Sequence, residues 1–281
     1  MANYLQTRLD LLRRSQNRDG GWGYFPGKQS WLEPSVYAAL ALHGEHAAER
    51  AWQLLLSWQN SGDGSWRPSQ EVATSTWGTA LCVTLAAVRQ ESGRALQDGA
   101  SWLLDAEGAE SSLTYRLSNR RSGRLAGTRP ASGPSPKGWS WTKNSFSAAE
   151  PTAHAMIALK KAARLAGAVM HPGILAERLR LGEMRLMAGK NPASAGFVLL
   201  GLQGRSDLEA WLEPARRQLT GDQTPALTRA WIRLALRLRG EQLPAAHASG
   251  SNDLMLAALE ALAEADGNHG LLRATGSGTT V

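Results

Sequence analysis

Two stretches of this chain repeat each other at a constant spacing of 117 residues, without a gap. Residues 21–42 read GWGYFPGKQSWLEPSVYAALAL, and residues 138–159 read GWSWTKNSFSAAEPTAHAMIAL. The matched pairs are Trp22 with Trp139, Ser30 with Ser147, Glu33 with Glu150, Pro34 with Pro151, Ala38 with Ala155, and Leu42 with Leu159. Chance does not keep such a pattern in register, so the sequence predicts internal repeats and a fold built from similar, stacked units.

Each copy has a Gly-Trp turn, a polar loop, and then a helix opened by Glu-Pro. Proline is tolerated in the first helical turn, where its missing N–H removes no hydrogen bond. The carboxylates of Glu33 and Glu150 can accept the free N–H groups there and face the positive end of the helix dipole. Two interpretations remain open, a helix cap and a functional acid. Occurrence in both copies favours the cap, because a scaffold device repeats and a catalytic acid usually does not.

Hydrophobic periodicity predicts about eleven helices in all. Their predicted ranges are 3–16, 33–43, 46–59, 74–88, 94–105, a helix from 150 onward, 172–188, 191–202, 206–219, 224–239 and 252–265. Amphipathic helices with one apolar stripe alternate with alanine-rich helices that are apolar all round, and the second kind is expected to be buried on most sides. This alternation favours helical hairpins arranged as an inner and an outer layer.

Residues 107–149 interrupt the alternation with glycine, proline and serine, which indicates a loop insertion. From residue 111 to residue 149 there is no acidic side chain. The basic residues of this span are Arg116, Arg120, Arg121, Arg124, Arg129, Lys137 and Lys143. The segment is interpreted either as a solvated insertion or as a contact for phosphates or anionic lipids. The predicted domain spans residues 1–265, and the glycine-rich residues 266–281 are expected to form a flexible tail.

The formal net charge of +7 favours anionic partners such as phosphates or an acidic membrane surface. Nucleic acid is not expected, because Tyr115 is the only aromatic residue among the arginines before Trp139 and a stacking platform needs more. Cys82 is the only cysteine, so no disulfide within the chain and no cysteine-rich metal site is expected. The start of the chain lacks the apolar core of a signal peptide, and no apolar run reaches a membrane span. The expected location is cytoplasmic, either free or at a membrane surface.

The glutamine-tryptophan turns and the Glu-Pro-Thr-Ala helix start together resemble the squalene–hopene cyclase and prenyltransferase α/α-toroid superfamily. QNRDGGW at residues 16–22 is similar to the QW repeat of that family, and QNSGDGSW at residues 59–66 is a version one residue longer. The resemblance covers roughly residues 3–240. It implies an all-α fold, a single (α/α) toroid of five to six helical hairpins around an apolar bore. With about eleven helices, the toroid is expected to be one helix short at its C-terminal end.

The resemblance places Glu150 at the proton-donor position of the family motif Asp-x-Asp-Asp-Thr-Ala. Both flanking aspartates are replaced, by Ala148 and Pro151, which weakens the acid. His154 lies one turn further on, within reach of a hydrogen bond to Glu150 that would suit general acid–base work. The competing interpretation is a structural histidine, the more common role of a lone histidine at helical spacing. Glu33 is the alternative acid. Zinc-dependent prenyl transfer and magnesium-dependent diphosphate ionisation are not supported, because Cys82 lacks the upstream aspartate and no Asp-rich run occurs; no cofactor is expected.

A bore that stabilises carbocations needs aromatic faces. The candidate substrate-binding residues are Trp31, Tyr37, Trp77, Phe197 and Trp231, together with Arg116, Arg120 and Arg121 for a diphosphate or a membrane. The competing interpretation is that these aromatic side chains only pack the helix core.

Two functions therefore remain as hypotheses. The first is a terpene cyclase-like or prenyltransferase-like protein that binds an isoprenoid and uses Glu150 as its acid. The second is a non-catalytic toroid that binds a lipid or a protein partner, with Glu33 and Glu150 as caps. Capping predicts that alanine at either glutamate costs about 1 kcal/mol, whereas a functional, strained Glu150 predicts little loss or a gain.

Overall fold

A computed structural model of the chain describes residues 2–112, 136–165, 170–244, 246, 250–264 and 268–274. Over these residues the protein is all-α, with eleven α-helices and isolated bridges but no β-strand. The helices are α1 (Ala2–Arg14), α2 (Leu32–Ala41), α3 (His46–Ser57), α4 (Gly78–Val88), α5 (Arg94–Asp105), α6 (Ala149–Leu165), α7 (Pro172–Met187), α8 (Ala195–Gly201), α9 (Glu209–Thr220), α10 (Ala226–Leu238) and α11 (Leu254–Glu264). The prediction of an all-helical fold is confirmed.

Burial separates these helices into two classes. α2, α4, α6, α8, α10 and α11 are buried on most of their sides. α1, α3, α5, α7 and α9 bury one stripe and expose the opposite face. The physical reason for α2, α4, α8 and α11 is composition, because helices rich in alanine, leucine and other apolar residues lose little polar hydration when neighbours surround them. α10 differs, since it carries Arg229, Arg233 and Arg237, of which Arg233 is buried. The predicted alternation of the two classes is confirmed from α1 to α10, and it ends there because α10 and α11 are both buried.

The buried helices contact one another in chain order. α2 contacts α4, α4 contacts α6, α6 contacts α8, α8 contacts α10, and α10 contacts α11. α11 also contacts α2, so the last buried helix meets the first. The amphipathic helices pack on them, with α3 on α2, α5 on α4, α7 on α6, α9 on α8, and α1 on α11.

The N-terminal helix α1 therefore packs on α11, the last buried helix in the sequence. The Arg8 guanidinium lies 2.8 Å from the Glu260 carboxylate of α11, and both side chains are buried. Arg8 also donates to the Ser251 carbonyl at 2.9 Å. Breaking a buried ion pair leaves an uncompensated charge, so these contacts hold the two ends of the chain together.

In each of three turns, one tryptophan forms hydrogen bonds with residues on both sides of the turn. Each backbone N–H donates to a hydroxyl 13 residues later, in the pairs Trp22–Ser35 at 2.9 Å, Trp66–Thr79 at 2.9 Å and Trp139–Thr152 at 3.0 Å. Each indole N–H donates to a carbonyl of the preceding amphipathic helix, Leu12 at 2.8 Å, Leu55 at 2.9 Å and Leu103 at 2.8 Å. The residues around Trp66 are therefore a third copy of the repeat, between the two that the 117-residue spacing identifies.

Glutamine connects successive amphipathic helices at the first two turns. The Gln16 amide donates to the carbonyls of Gly20 and Ala47, both at 2.8 Å. The Gln59 amide donates to Gly64 and Ala95, both at 3.0 Å. One side chain thus joins the turn after its own helix to the start of the next amphipathic helix.

The third turn uses different chemistry. Four residues after Leu103, where the other copies have glutamine, stands Glu107, which forms an ion pair with Lys137 at 2.7 Å. The missing connection is made from α7 by Arg178, which donates to the carbonyls of Ala106 at 2.5 Å, Lys137 at 3.1 Å and Gly138 at 3.1 Å. Its guanidinium lies 3.6 Å from the centre of the Trp139 ring. The predicted insertion thus falls inside this turn, and residues 136–148 already belong to the repeat.

Several predicted boundaries need correction. α2 begins at Leu32 and α4 begins at Gly78, instead of at residues 33 and 74. The prediction of a flexible tail from residue 266 is wrong for residues 268–274, because Leu272 and Ala274 are buried and exchange hydrogen bonds with Gln203. No helix within the described ranges has the length and apolar composition needed to cross a bilayer.

Candidate functional site

Glu33 and Glu150 are the second residues of α2 and α6, so neither occupies the N-cap position that the sequence suggested. The N-cap of α2 is Trp31, whose side chain makes no capping hydrogen bond. The Glu33 carboxylate accepts a hydrogen bond from the Tyr24 hydroxyl at 3.1 Å. The Glu150 carboxylate has no hydrogen-bond partner among the described residues, so it makes no capping hydrogen bond to them.

Both carboxyl groups are harder to ionise than an exposed glutamate. Burial and, second, the negative charge of Glu33 raise the pKa of Glu150 to about 7. Burial also raises the pKa of Glu33, against the opposing effects of its own backbone N–H and of the Tyr24 hydroxyl. The charge of Glu33 therefore acts on Glu150, and a pKa near 7 lets Glu150 hold or release its proton close to neutral pH.

His154 does not form the predicted hydrogen bond with Glu150. Its Nε2 lies 3.3 Å from the Tyr37 hydroxyl, and its buried Nδ1 has no partner. Burial lowers the pKa of His154 to about 3, so the imidazole is neutral at physiological pH. The geometric reason is that His154 sits one turn into α6, among the aromatic rings, whereas Glu150 lies at the first turn. Tyr37 and His154 are themselves separated by the 117-residue spacing, so equivalent positions of two copies meet.

Four of the five predicted aromatic residues gather around His154. The ring centres of Tyr37 and Trp231 lie 5.3 Å apart, as do those of Phe197 and Trp231. The His154 ring lies 5.3 Å from Trp231 and 5.5 Å from Trp77. These edge-to-face and tilted contacts fill the space between the buried helices, as expected of a packed aromatic core. The close ring contacts support the interpretation that the deepest of these rings pack the helix core.

The fifth aromatic residue, Trp31, lies away from this cluster. Its ring centre is 6.4 Å from that of Tyr24, the residue that holds the Glu33 carboxylate. Trp31 therefore lies beside the carboxylate pair instead of the aromatic centre. The remaining predicted binding residues, Arg116, Arg120 and Arg121, fall outside the described residues.

Sequence reasoning missed two aromatic residues at this end of the molecule. Tyr24 bonds Glu33, and Trp141 packs edge-on against Trp77 with ring centres 5.0 Å apart. Tyr24 and Trp141 are 117 residues apart, so the repeat was the signal that could have identified both. Trp77 itself lies 11 residues after its turn tryptophan, as do Glu33 and Glu150 after theirs. Glu33, Trp77 and Glu150 therefore occupy equivalent positions at the starts of α2, α4 and α6.

A cavity of about 820 Å³ opens beside these helix starts. Its lining combines α4, the end of α5, the start of α6 and the third turn, and includes Trp77, Trp102, Trp141, Pro151 and Ala155. Of the predicted site residues that the structure describes, only Trp77 lines this cavity. The carboxylate pair and the cavity are thus separate features that share one neighbourhood.

The raised pKa of Glu150 leads to a pH-dependent stability prediction. Because the folded state holds the Glu150 proton more tightly than the unfolded state does, ionisation disfavours folding as pH rises from about 4.5 to about 7. Glu150→Gln is expected to leave stability unchanged at pH 4 and to increase it by about 1 to 2 kcal/mol at pH 8. This is less than the roughly 3 kcal/mol of the full shift, since the half-buried carboxylate keeps part of its hydration. Urea unfolding at both pH values measures the difference.

The control is Glu209→Gln, an exposed acid in the first turn of α9, which is expected to change stability by less than about 0.5 kcal/mol. A loss of about 1 kcal/mol in Glu150→Gln at both pH values would restore the helix-cap interpretation.

No group of three or more His, Cys, Asp or Glu side chains within the described ranges is arranged to hold a metal ion. Neither a scan against protein-family models nor a search of curated proteins finds a match to this chain, so the case for its function rests on its own residues.

Proposed function

We propose that this protein is a single α/α toroid that binds an isoprenoid or similar hydrophobic molecule and acts on it through Glu150. The contacts from α2 round to α11 and back to α2 support the toroid, as does the packing of amphipathic helices on all six buried ones, with α9 on both α8 and α10. The observation that carries the function is the coupled pair of half-buried carboxyl groups, Glu33 and Glu150, beside aromatic side chains.

The proposed reaction is an isomerisation or cyclisation in which Glu150 gives a proton to the substrate and later takes one back. The O–H bond of protonated Glu150 breaks, a new C–H bond forms at an alkene carbon, and the positive charge develops on the neighbouring carbon. An indole face such as that of Trp31, which lies beside the carboxylate pair, would stabilise this cation. Loss of a proton from an adjacent carbon to the Glu150 carboxylate restores a double bond and the acid, so no cofactor or co-reactant is required.

The coupling between the glutamates suits this cycle. A carboxyl group with a pKa near 7 is a weak acid towards an alkene but can both give and take a proton at neutral pH. The charge of Glu33 raises the pKa of Glu150, so it keeps the proton on Glu150 at a pH where an isolated glutamate would have lost it.

The test is incubation of the purified protein with squalene and with C10, C15 and C20 prenyl diphosphates, with products identified by mass spectrometry. Wild type is expected to form a new isomer or cyclised product, and Glu150→Gln to reduce its rate at least about 100-fold, the lower end of general-acid contributions. The wild-type rate is expected to fall as pH rises through about 7, as Glu150 loses its proton. Glu33→Gln should move that fall to lower pH, because the charge that raises the pKa of Glu150 is gone.

A Glu150→Gln variant with intact turnover would show that Glu150 is not the acid. Absence of turnover in folded wild type would instead favour the second candidate function, a non-catalytic toroid that binds a lipid or a protein partner. The observation that supports this alternative is the dense packing of Tyr37, His154, Phe197 and Trp231, which leaves the centre filled by the protein's own rings. The next measurement would then be extraction and mass spectrometry of any co-purifying lipid.

A further inference from the structure

The cavity beside the third turn has a floor and a rim of opposite character. Its floor is apolar and buried, formed by Trp77, Ala80, Leu103 and Ala155. Its volume of about 820 Å³ is in the range of pockets that hold drug-sized ligands, roughly 300 to 1,000 Å³. A floor of this kind favours an apolar segment of a ligand, since burying that segment removes its surface from water.

The rim is rich in hydroxyl, amide and carboxylate groups. Exposed rim side chains include Thr74, Ser101, Asp105, Thr142 and Asn144. Asp105 makes no hydrogen bond or ion pair with another described residue. The rim thus presents both donors and acceptors, which suit a ligand that can donate and accept several hydrogen bonds.

Part of this rim is held in place by the protein itself. The Thr142 carbonyl accepts hydrogen bonds from the hydroxyls of Ser140 and Ser145, both at 2.8 Å. Trp141 is fixed edge-on against Trp77, with an angle of 82° between the rings, and 40% of its surface remains exposed. A rigid turn and an exposed indole face lower the ordering cost of binding.

The charges of the described lining disfavour an anionic head group. Three carboxylates, Asp63, Asp105 and Glu107, face one ammonium group, that of Lys143. Glu107 is paired with Lys137, so the charges of the described lining nearly balance, and this lining contains no cluster of cations. Phosphate recognition in proteins uses clustered arginine or lysine, and the described lining lacks this. A quaternary ammonium head would in turn leave the rim donors and acceptors unpaired.

We propose that this cavity is a binding site for a neutral amphipathic ligand with a hydroxylated head, of the alkyl glycoside class. The apolar tail lies against the Trp77–Ala80–Ala155 floor, and the hydroxylated head hydrogen-bonds the rim while one face of its ring stacks on Trp141. Asp105 accepts from the hydroxyl groups of the head. The site is distinct from the Glu33–Glu150 pair, and ligand binding there requires no turnover.

The experiment compares three probes with the same tail, octyl β-glucoside, octyl phosphate and octyltrimethylammonium. Binding to the full chain is measured by isothermal titration calorimetry, below the critical micelle concentration of each probe. We expect the glucoside to bind at least about tenfold more tightly than either charged probe, since tenfold corresponds to about 1.4 kcal/mol, the contribution of one hydrogen bond to a charged group.

Two variants localise the site. Trp141→Ala and Asp105→Ala are each expected to weaken glucoside binding about tenfold, and both positions are exposed, so the fold is retained. The control is Phe25→Ala, an aromatic residue that is 50% exposed and does not line the cavity; this variant is expected to bind the glucoside as wild type does.

Tighter binding of the phosphate or ammonium probe would overturn the proposed head-group chemistry. Equal binding of all three probes, unaffected by either variant, would show non-specific adsorption of the tail and would also overturn it. Because the readout is binding, neither result depends on whether Glu150 is catalytic.

Discussion

Trp139→Ala is expected to lower the free energy of unfolding by about 3 to 5 kcal/mol, the range for removing a fully buried tryptophan. The ring is 2% exposed, and its indole N–H donates to the Leu103 carbonyl of α5. On the α7 side Gly182 allows the ring to approach, since a Cβ atom there would lie 2.9 Å from it. Truncation therefore opens a cavity where three helices meet and leaves the Leu103 carbonyl without this donor.

Urea unfolding followed by far-ultraviolet circular dichroism measures this loss. The matched control is Trp141→Ala, two residues further along the same turn, where the ring is 40% exposed. It is expected to cost less than about 1 kcal/mol, because an exposed side chain contributes little burial. Equal losses in the two variants would contradict the proposal that Trp139 fastens the turn to its helices.

Arg178→Ala is expected to cost about 3 kcal/mol, the second largest effect. The side chain is 5% exposed and satisfies three backbone carbonyl groups while covering the Trp139 ring. Its removal leaves those acceptors without a donor, and each buried orphan group costs about 1 to 3 kcal/mol. Burial lowers the pKa of Arg178 to about 10, so it remains charged at neutral pH and the hydrogen bonds are charge-assisted.

Arg178→Lys is expected to recover little of this stability, because an ammonium group lacks the planar fork that reaches separate carbonyls and stacks on an indole. The control is Arg180→Ala on the same helix, whose exposed side chain pairs only with Glu177 and Met184. That change should cost less than about 0.5 kcal/mol. A double-mutant cycle of Arg178→Ala and Trp139→Ala is expected to give a coupling energy above about 1 kcal/mol. If the two losses of stability are simply additive, the two side chains do not stabilise the turn together.

The repeat explains why so much of the fold was accessible from the sequence. Gly-Trp turns, x-Pro helix starts and the two kinds of helix are local patterns, and each reflects interactions within about 13 residues. The hydroxyl that receives each turn N–H stands at a constant separation from its tryptophan, as in Trp22–Ser35 and Trp139–Thr152. These patterns predicted the helix classes and placed Glu33 and Glu150 at equivalent helix starts.

Local pattern was a poorer guide to side-chain partners. His154 follows Glu150 by one helical turn, which suggested a hydrogen bond, yet its partner is Tyr37 from a different copy. The reason is that α6 is buried on most sides, so its successive residues face different neighbouring helices. Arg178 could not be identified either, because the carbonyls that it satisfies lie about 40 and 72 residues earlier in the chain.

The sequence alone determined the all-helical fold, the spacing of its repeats, and the division into buried and amphipathic helices. Tertiary structure alone decided that α11 meets α2, that α1 packs on α11, that Glu33 raises the pKa of Glu150, and that a polar-rimmed cavity opens beside Trp77. The physical reason is range. Periodicity and turn chemistry act between near neighbours in the chain, whereas burial, charge coupling and cavities depend on which distant segments the packing brings together.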